Sequence, residues 1–250
     1  MRLVSNKKTL LGSWITLAHP AIAEIMCNAG FDWLAVDLEH SVITIREAEE
    51  LIRVISLSGV KPLVRLTWND ANLIKRVMDA GAHGIIIPMI NSAEQAKAAV
   101  DAVYYPPFGK RGVGLARAQG YGKNFKEYKK WLDQREPWVI VQIEHIEAVK
   151  NIDAILAVEG VDGYIVGPYD LSASMGFPGE FDREDVKAAI VKVHAVAKSM
   201  GVPGGIHIVE PDLVKLKECV AEGCEFIAYS VDIRMLDIAC RAGVESLKEV

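Results

Sequence analysis

The sequence predicts an α/β protein with the (β/α)8 fold, the TIM barrel, built as a single domain over residues 1–250. Its length is typical of one such barrel. Six amphipathic stretches end at a glycine that precedes a short apolar stretch: Gly30, Gly59, Gly81, Gly160, Gly201 and Gly223. Glycine readily adopts the left-handed conformation that ends a helix, so each marks a helix leading into a strand. No linker interrupts this alternation, which predicts a parallel sheet covered by helices.

Eight stretches have the short, apolar, β-branched character of buried strands. In chain order they are residues 11–17, 33–37, 62–65, 85–88, 139–144, 164–166, 205–207 and 226–229. A doubly wound open sheet is the competing arrangement, but it usually has about five to seven strands and a glycine-rich phosphate turn after the first. The first strand here is followed by the sequence Ala-His-Pro-Ala, without a G-x-G-x-x-G motif. The barrel is therefore the better interpretation.

One unit is much longer than the others. Nearly fifty residues separate Met89, close to the end of the fourth strand, from Trp138, close to the start of the fifth. They predict a helix over about 93–103, then a glycine-rich and aromatic segment over 104–117, then a polar segment. Long insertions at the carboxyl-terminal rim of a barrel usually carry function, and we expect this one to do so. The last helix, about 233–248, is apolar on one side and is expected to pack on a neighbouring subunit.

Composition and charge exclude several classes of partner. A net charge of −5 without a dense Lys/Arg stripe argues against nucleic acids and anionic membranes. The first eight residues are too polar for a signal peptide, and no apolar stretch reaches the roughly 18 residues of a membrane span. The four cysteines show no C-x-x-C pairing and lie in apolar helical patterns. They predict reduced thiols in a cytoplasmic protein, without a zinc site.

In a TIM barrel the chemistry lies at the rim where the strands end. The polar side chains at or just after the predicted strand ends are Asp37, Glu39, His40, Arg65, Gln142, Glu144, Asp170, His207, Tyr229 and Ser230. Glu144 and Asp170 end neighbouring strands, and paired carboxylates commonly hold a hard divalent cation. Lys61 precedes its strand and Lys150 lies in a helix, so a Schiff-base lysine is not expected at the rim. This set suits metal-assisted chemistry on an anionic, oxygenated substrate.

Five ordered segments resemble the signature segments of the HpcH/HpaI aldolase family, and the resemblance runs over roughly residues 12–229. They are residues 37–40, 64–70, 110–114, 141–144 and 167–172. The resemblance implies a class II pyruvate aldolase of the 4-hydroxy-2-oxoheptanedioate or 2-keto-3-deoxy-sugar-acid type. Such an enzyme reversibly cleaves a 4-hydroxy-2-oxo acid to pyruvate and an aldehyde through a metal-stabilised enolate. It also implies a divalent metal, Mg²⁺, Mn²⁺ or Co²⁺, and a homohexamer with an exchanged C-terminal helix.

The resemblance also implies a role for each residue that binds metal or substrate. Glu144 and Asp170 would be the metal ligands, and Gln142 would lie beside the metal and the pyruvate carboxylate. The backbone N–H groups of Tyr169 and Asp170 would receive that carboxylate at the start of a helix. Tyr169 replaces a small residue of many family members, which leaves the preference for the aldehyde open.

The catalytic residues follow in the same way. Arg65 would contact the keto oxygen and stabilise the enolate, and His40 would transfer a proton, oriented by Asp79 of the same or the adjoining subunit. Either His40 or a water on the metal would be the base, and an unperturbed imidazole suits this work near neutral pH. Glu39 has no assigned ligand role and is expected to support the site.

Two alternatives share the same residues. A metal-dependent decarboxylase of oxaloacetate-like acids needs the same enolate stabilisation, and a non-catalytic barrel could bind a 2-oxo acid without turnover. The set of His40, Arg65, Glu144 and Asp170 argues against the second. His207 is equally compatible with a packing role. Arg111 and Arg117 are the last candidate residues. They could bind a distal carboxylate of the substrate, although salt bridges that order the long insertion are the preferred interpretation.

Overall fold

The computed structural model describes residues 9–247, in which eight parallel strands form a closed barrel. The strands pair in chain order and β8 pairs with β1, so the sheet has no free edge. The predicted fold is confirmed. The strands are β1 (Leu10–Ile15), β2 (Trp33–Asp37), β3 (Lys61–Arg65), β4 (Gly84–Ile87), β5 (Trp138–Ile143), β6 (Gly163–Val166), β7 (Gly204–Ile208) and β8 (Phe226–Val231).

Helices connect successive strands and cover the outside of the barrel. They are α1 (Pro20–Asn28), α2 (Ile45–Leu57), α3 (Ala71–Asp79), α4 (Ala93–Val103), α5 (Phe125–Asp133), α6 (Ile146–Lys150), α7 (Ile152–Leu156), α8 (Pro168–Ser174), α9 (Glu184–Met200), α10 (Leu213–Glu222) and α11 (Asp232–Glu245). Several begin at a side-chain cap: Asp70, for example, accepts hydrogen bonds from the N–H groups of Asn72 and Leu73. Within the described residues, no helix combines the length and apolarity required to cross a membrane.

The alternation of side chains along each strand divides the core into two layers. Along β2, Leu34 and Val36 pack outward under the helices, whereas Trp33 and Ala35 fill the barrel interior. Trp33 stacks on Phe226 with ring centroids 4.4 Å apart. A Cβ at Gly12 would lie 2.0 Å from the Trp33 ring, so only glycine leaves room for this indole.

We define the rim as the carboxyl end of each strand together with the loop that follows it. The same two-residue alternation along the strands places polar side chains there. Asp37 continues the interior face of β2, and Arg65 lies two residues after the interior residue Leu63. Gln142 and Glu144 continue the interior face of β5 in the same way. These side chains therefore project over the top of the filled barrel.

The long insertion lies at the opposite end of the barrel, the base, where strands begin. Arg117 in the insertion donates a hydrogen bond to the carbonyl of Ala80, just after α3, at 2.9 Å. Trp131 packs on His83, which directly precedes β4, with ring centroids 5.5 Å apart. The expected position at the carboxyl-terminal rim is thus wrong. The insertion follows α4, and a helix of this fold returns the chain to the base before the next strand begins.

The C-terminal helix α11 begins as predicted and ends at Glu245, and the predicted end at Lys248 lies outside the described residues. Several of its apolar side chains are exposed to solvent. They are Ile233, Leu236, Ile238 and Val244, and Leu247 follows just after the helix. A helix whose apolar side chains stay uncovered within one chain is typical of a surface that packs on another protein.

Candidate active site

A buried ion pair lies at the centre of the rim. The Nε and Nη2 atoms of Arg65 donate to the two carboxylate oxygens of Asp37 at 2.9 and 2.7 Å. Arg65 Nη1 lies 3.3 Å from Glu39 Oε2. Burial alone would raise the pKa of Asp37, but the hydrogen bonds and charge of Arg65 outweigh it and hold that pKa below its usual range. The guanidinium is therefore fixed in orientation before any substrate arrives.

Glu144 is buried beside this pair, with only 2% of its surface exposed. Its Oε1 accepts a hydrogen bond from the backbone N–H of Met89 at 2.7 Å, and its Oε2 accepts one from the Gln142 side chain. A Cβ at Gly167 would lie 2.8 Å from Glu144 Oε2, so glycine is required there. Burial raises the pKa of Glu144, the two hydrogen bonds lower it, and the charge of Asp170 raises it further.

Two rim residues other than glycine have left-handed backbone conformations. Met89 has φ +53° and directs its N–H to Glu144, and Ser230 also has φ +53°. The Ser230 carbonyl accepts a hydrogen bond from Ser13 Oγ at 3.2 Å and lies 3.3 Å from His207 Nε2. Such conformations persist where the surroundings fix them, often at functional sites. The sequence does not identify Met89 as a site residue, because it contributes its backbone N–H to the site and not its side chain.

A cavity of about 150 Å³ opens between these side chains. Its walls include Trp14, Arg65, Gln142, Gly167, Tyr169, Asp170 and His207. The Trp14 ring packs against the Arg65 guanidinium at 4.5 Å, a cation–π contact that adds to the fixed orientation. Burial and the charge of Arg65 lower the pKa of His207 to about 3, so its imidazole is neutral near pH 7. His207 is thus part of the cavity wall, which the sequence left open.

The rim carries more carboxylates than its one arginine neutralises. Burial is the main cause that raises the pKa of Glu39 to about 8; the charge of Arg65 opposes it, and the charges of Glu144, Asp37 and Asp170 add to it. The Glu39 Oε2 and Gln142 Oε1 atoms are buried without a hydrogen-bond partner. A cation at this place would offset the repulsion and provide a partner for buried oxygens.

The oxygen atoms of Glu144, Gln142 and Asp170 fit a hard divalent cation such as Mg²⁺ or Mn²⁺ in donor type. Across residues 9–247, no group of three or more His, Cys, Asp or Glu side chains is arranged to hold a metal. The protein would therefore supply two carboxylates, and small molecules would supply the remaining ligands, as is common for Mg²⁺.

Three further candidates, Tyr169, Asp170 and His40, are exposed at the rim. Tyr169 and Asp170 are exposed in the first turn of α8, and Tyr169 contacts the Phe181 ring with centroids 4.7 Å apart. His40 is exposed, and its Nε2 lies 3.8 Å from Glu39 Oε2. Asp79 is the last residue of α3, at the base, and is not brought to the rim within one chain. The rim therefore unites the predicted metal-binding, substrate-binding and catalytic residues apart from Asp79.

The two arginines of the insertion form contacts of another kind than expected. Arg111 donates to the Tyr128 hydroxyl at 2.8 Å and packs on the Tyr105 ring at 4.4 Å, while Arg117 binds a carbonyl. Neither has a salt bridge among the described residues, so the preferred interpretation of these side chains is wrong. The insertion is ordered by aromatic and carbonyl partners instead.

A closed barrel whose rim combines buried carboxylates with a fixed arginine is typical of an enzyme that acts on an oxyanionic substrate. Residues 10–237 match the family described as HpcH/HpaI aldolase/citrate lyase, and the chain belongs to this family. It is an aldolase, a carbon–carbon lyase.

Similar proteins agree with this assignment. The chain is 41% identical over 233 residues to a hydroxypyruvate/pyruvate aldolase of Sagittula stellata, covering 93% of this chain and 90% of the relative. It is 39% identical over 234 residues to the 4-hydroxy-2-oxo-heptane-1,7-dioate aldolase of Escherichia coli, covering 93% and 88%. The crystal structure of an HpcH/HpaI aldolase from Desulfitobacterium hafniense superposes with a TM-score of 0.88 at 34% identity, covering 97% and 93%.

Proposed function

We propose that this protein reversibly cleaves a 4-hydroxy-2-oxo acid to pyruvate and an aldehyde, with a divalent cation held by Glu144 and Asp170. The observation that carries the proposal is the convergence of Arg65, Gln142 and Asp170 on one small cavity beside buried Glu144. Mg²⁺, Mn²⁺ and Co²⁺ are the candidate ions, because the side-chain donors are oxygens. When bound, the cation would act as a Lewis acid on the 2-keto group.

Arg65 stabilises the negative charge that develops on the keto oxygen as the carbon–carbon bond breaks. Its two hydrogen bonds to Asp37 and the Trp14 ring already fix its orientation, so little reorganisation accompanies the reaction. The N–H groups of Tyr169 and Asp170 belong to the first turn of α8, where N–H groups lack intrahelical acceptors. They receive the substrate carboxylate, with Gln142 beside it.

His40 removes the proton of the 4-hydroxyl group while the C3–C4 bond breaks and the aldehyde leaves. Its exposed imidazole lies 3.8 Å from Glu39 Oε2, an oxygen that is also 3.3 Å from Arg65 Nη1. The other rim histidine, His207, is a poor base because its pKa is lowered to about 3. Asp79 lies at the base of its own chain, so it orients the His40 of a second copy.

The protein therefore acts as a homo-oligomer, and by family resemblance as a hexamer. The exposed apolar side chains of α11 support this assembly, since contact with a neighbouring copy would cover them. The test is subunit complementation between His40→Ala and Asp79→Asn. Each variant alone should be slow, and refolding the two together should restore activity, because some sites then combine an intact His40 with an intact Asp79. Activity of the mixture equal to the sum of the separate variants would contradict a shared site.

The metal and the reaction are tested together with a panel of aldehydes and pyruvate. Protein stripped with EDTA should be inactive and should recover with Mg²⁺, Mn²⁺ or Co²⁺. Asp170→Asn should lose metal affinity, measured by calorimetry, as well as activity. Asp153→Asn is the matched control, since Asp153 is an exposed acid in the first turn of α7. Full activity of EDTA-treated Asp170→Asn would refute the ligand assignment.

Two further readouts separate the alternatives. Pyruvate formation from oxaloacetate without an aldehyde measures how far the same rim acts as a decarboxylase. Metal-dependent exchange of the pyruvate methyl protons in D₂O, followed by NMR, reports enolate formation directly. A barrel that only binds 2-oxo acids shows no exchange, and that outcome would remove the catalytic assignment.

A further inference from the structure

Two buried cysteines lie in contact at the end of α10, away from the rim. Cys219 is in the last turn of this helix and Cys224 follows it, one residue after Gly223. Their Sγ atoms are 3.1 Å apart, and both thiols are free. They pack in a small apolar cluster with Ile208 and Ile227.

The backbone imposes this contact. The N–H of Cys224 donates to the carbonyl of Cys219 at 3.0 Å, and the N–H of Gly223 donates to that of Val220 at 3.1 Å. Gly223 has the left-handed conformation, φ +94°, that completes this helix end. In this motif the side chains at the two outer positions touch, and an apolar pair usually occupies them. Here both positions are cysteine, so the sulfur atoms meet without any change of the fold.

We propose that Cys219 and Cys224 form an oxidation site that a hydroperoxide converts to an intrachain disulfide. The Cys224 thiolate attacks one peroxide oxygen, the O–O bond breaks, and water leaves with the second oxygen. The Cys219 sulfur then attacks the resulting sulfenic acid, the S–S bond forms, and a second water leaves. The two thiols lose two electrons and two protons in total, and one hydrogen peroxide becomes two waters.

The hydrogen bond between the two thiols selects the first nucleophile. The Cys219 S–H donates to Cys224 Sγ, which lowers the pKa of Cys224 although burial opposes this. The same contact, with burial, raises the pKa of Cys219. Cys224 is therefore the more acidic of the two thiols, and the Cys219 sulfur, 3.1 Å away, lies within reach to resolve its sulfenic acid.

The test treats the folded, full-length protein with hydrogen peroxide and analyses the tryptic peptide of residues 218–234, which contains both cysteines. This peptide should become lighter by two hydrogen atoms and should regain its mass with dithiothreitol. In a Cys240→Ser background, the number of free thiols, titrated after denaturation, should fall from three to one. A Cys240→Ser background removes the exposed thiol as a competing target.

Single variants identify the order of events. In Cys219→Ser the Cys224 sulfenic acid has no resolving thiol, so dimedone should label it, whereas Cys224→Ser should not be labelled at Cys219. Circular dichroism checks that both variants fold. If either fails to fold, the peptide mass measured on the protein without these two substitutions still tests the proposal. An unchanged peptide 218–234 under conditions that oxidise Cys240 of the unmodified protein would overturn the proposal. A disulfide that forms only in urea would overturn it as well.

Discussion

The rim and the base of this barrel each contain a buried arginine, and the two are held in different ways. At the rim, Arg65 is paired with the Asp37 carboxylate through two hydrogen bonds. At the base, Arg111 is 3% exposed and packs on the ring of Tyr105, and its Nε and Nη1 atoms have no hydrogen-bond partner. The rim thus holds its arginine by hydrogen bonds to a carboxylate beside an open cavity, whereas the base holds its arginine against aromatic rings.

Perturbed histidines show the same contrast. His207 at the rim and His83 at the base both have a pKa lowered to about 3, chiefly by burial. His83 lies between the rings of Trp131 and Trp138 and 3.3 Å from Lys61 Nζ, without a converging carboxylate. An altered pKa therefore does not identify a functional site here. The convergence of acids and a fixed cation on one cavity does.

The largest effect is expected for Arg65→Met. Loss of the positioned cation should reduce kcat/KM by about 100- to 1000-fold, and Asp37 left unpaired should lower the free energy of unfolding by about 3–5 kcal/mol. Arg111→Met at the base is the matched comparison in urea unfolding. It should cost less, because Arg111 forms no salt bridge among the described residues and acts on half-buried Asp79 only through its charge, which opposes the burial that raises the pKa of that carboxyl. Equal losses of stability in both variants would erase the distinction between the two ends.

Glu144→Gln should separate activity from stability. Activity should fall by about 100-fold or more, because the proposed metal ligand is lost. The free energy of unfolding at pH 7 should not fall, because burial already disfavours the charged carboxylate and glutamine retains an acceptor for the Met89 N–H. Exposed Glu147, replaced by glutamine in the same assays, serves as the control. A strongly destabilised Glu144→Gln would indicate a structural role.

The two ends should respond to pH in opposite directions when the protein is metal-free. The pKa of Glu39 is raised from 4.5 to about 8, so the folded state retains a proton that the unfolded chain releases. Its contribution to stability is complete below about pH 4.5 and is lost as the pH rises towards 8. The pKa of His83 is lowered from 6.5 to about 3, so its contribution is complete above pH 6.5 and is lost as the pH falls towards 3.

These two slopes can be measured by urea unfolding at a series of pH values in EDTA. Glu39→Gln should flatten the loss of stability on the alkaline side, and His83→Gln should flatten the loss on the acid side. If both variants follow the unmodified protein in parallel, the shifts are not linked to folding at either end.

The smallest effect is expected for Tyr105→Phe at the base. The fully buried Gln119 side chain donates to the Tyr105 hydroxyl at 2.8 Å, and its loss should cost about 1–2 kcal/mol of unfolding free energy. The ring that packs on Arg111 remains, so kcat should not change. Aldolase assays and thermal unfolding check the two expectations, and a large decrease in kcat would show that the base influences the chemistry.

The fold and most of the rim could be predicted because both follow from local pattern. The alternation of apolar strands with helices that end at a glycine predicts the barrel. The two-residue alternation of side chains along β2, β3 and β5 then predicts that Asp37, Arg65 and Gln142 lie at the same end of it. The backbone N–H of Met89 and the Trp14 wall were not predictable, because a methionine and a buried tryptophan in or near a strand look like ordinary core. The insertion was expected at the wrong end because the whole stretch between β4 and β5 was treated as one loop. The extra residues follow α4, which has already returned the chain to the base.

Gly167 and Tyr169 have opposite consequences for anyone who wishes to adapt this enzyme as a synthetic catalyst. A methyl group at position 167 would press on the Glu144 carboxylate at 2.8 Å, so that position should stay constant in a library. Two residues later, the side chain of Tyr169 is 50% exposed, and its ring contacts the ring of Phe181. Replacement at 169 is therefore expected to leave the fold intact, and a library at this position would test whether its side chain sets the preference for the aldehyde.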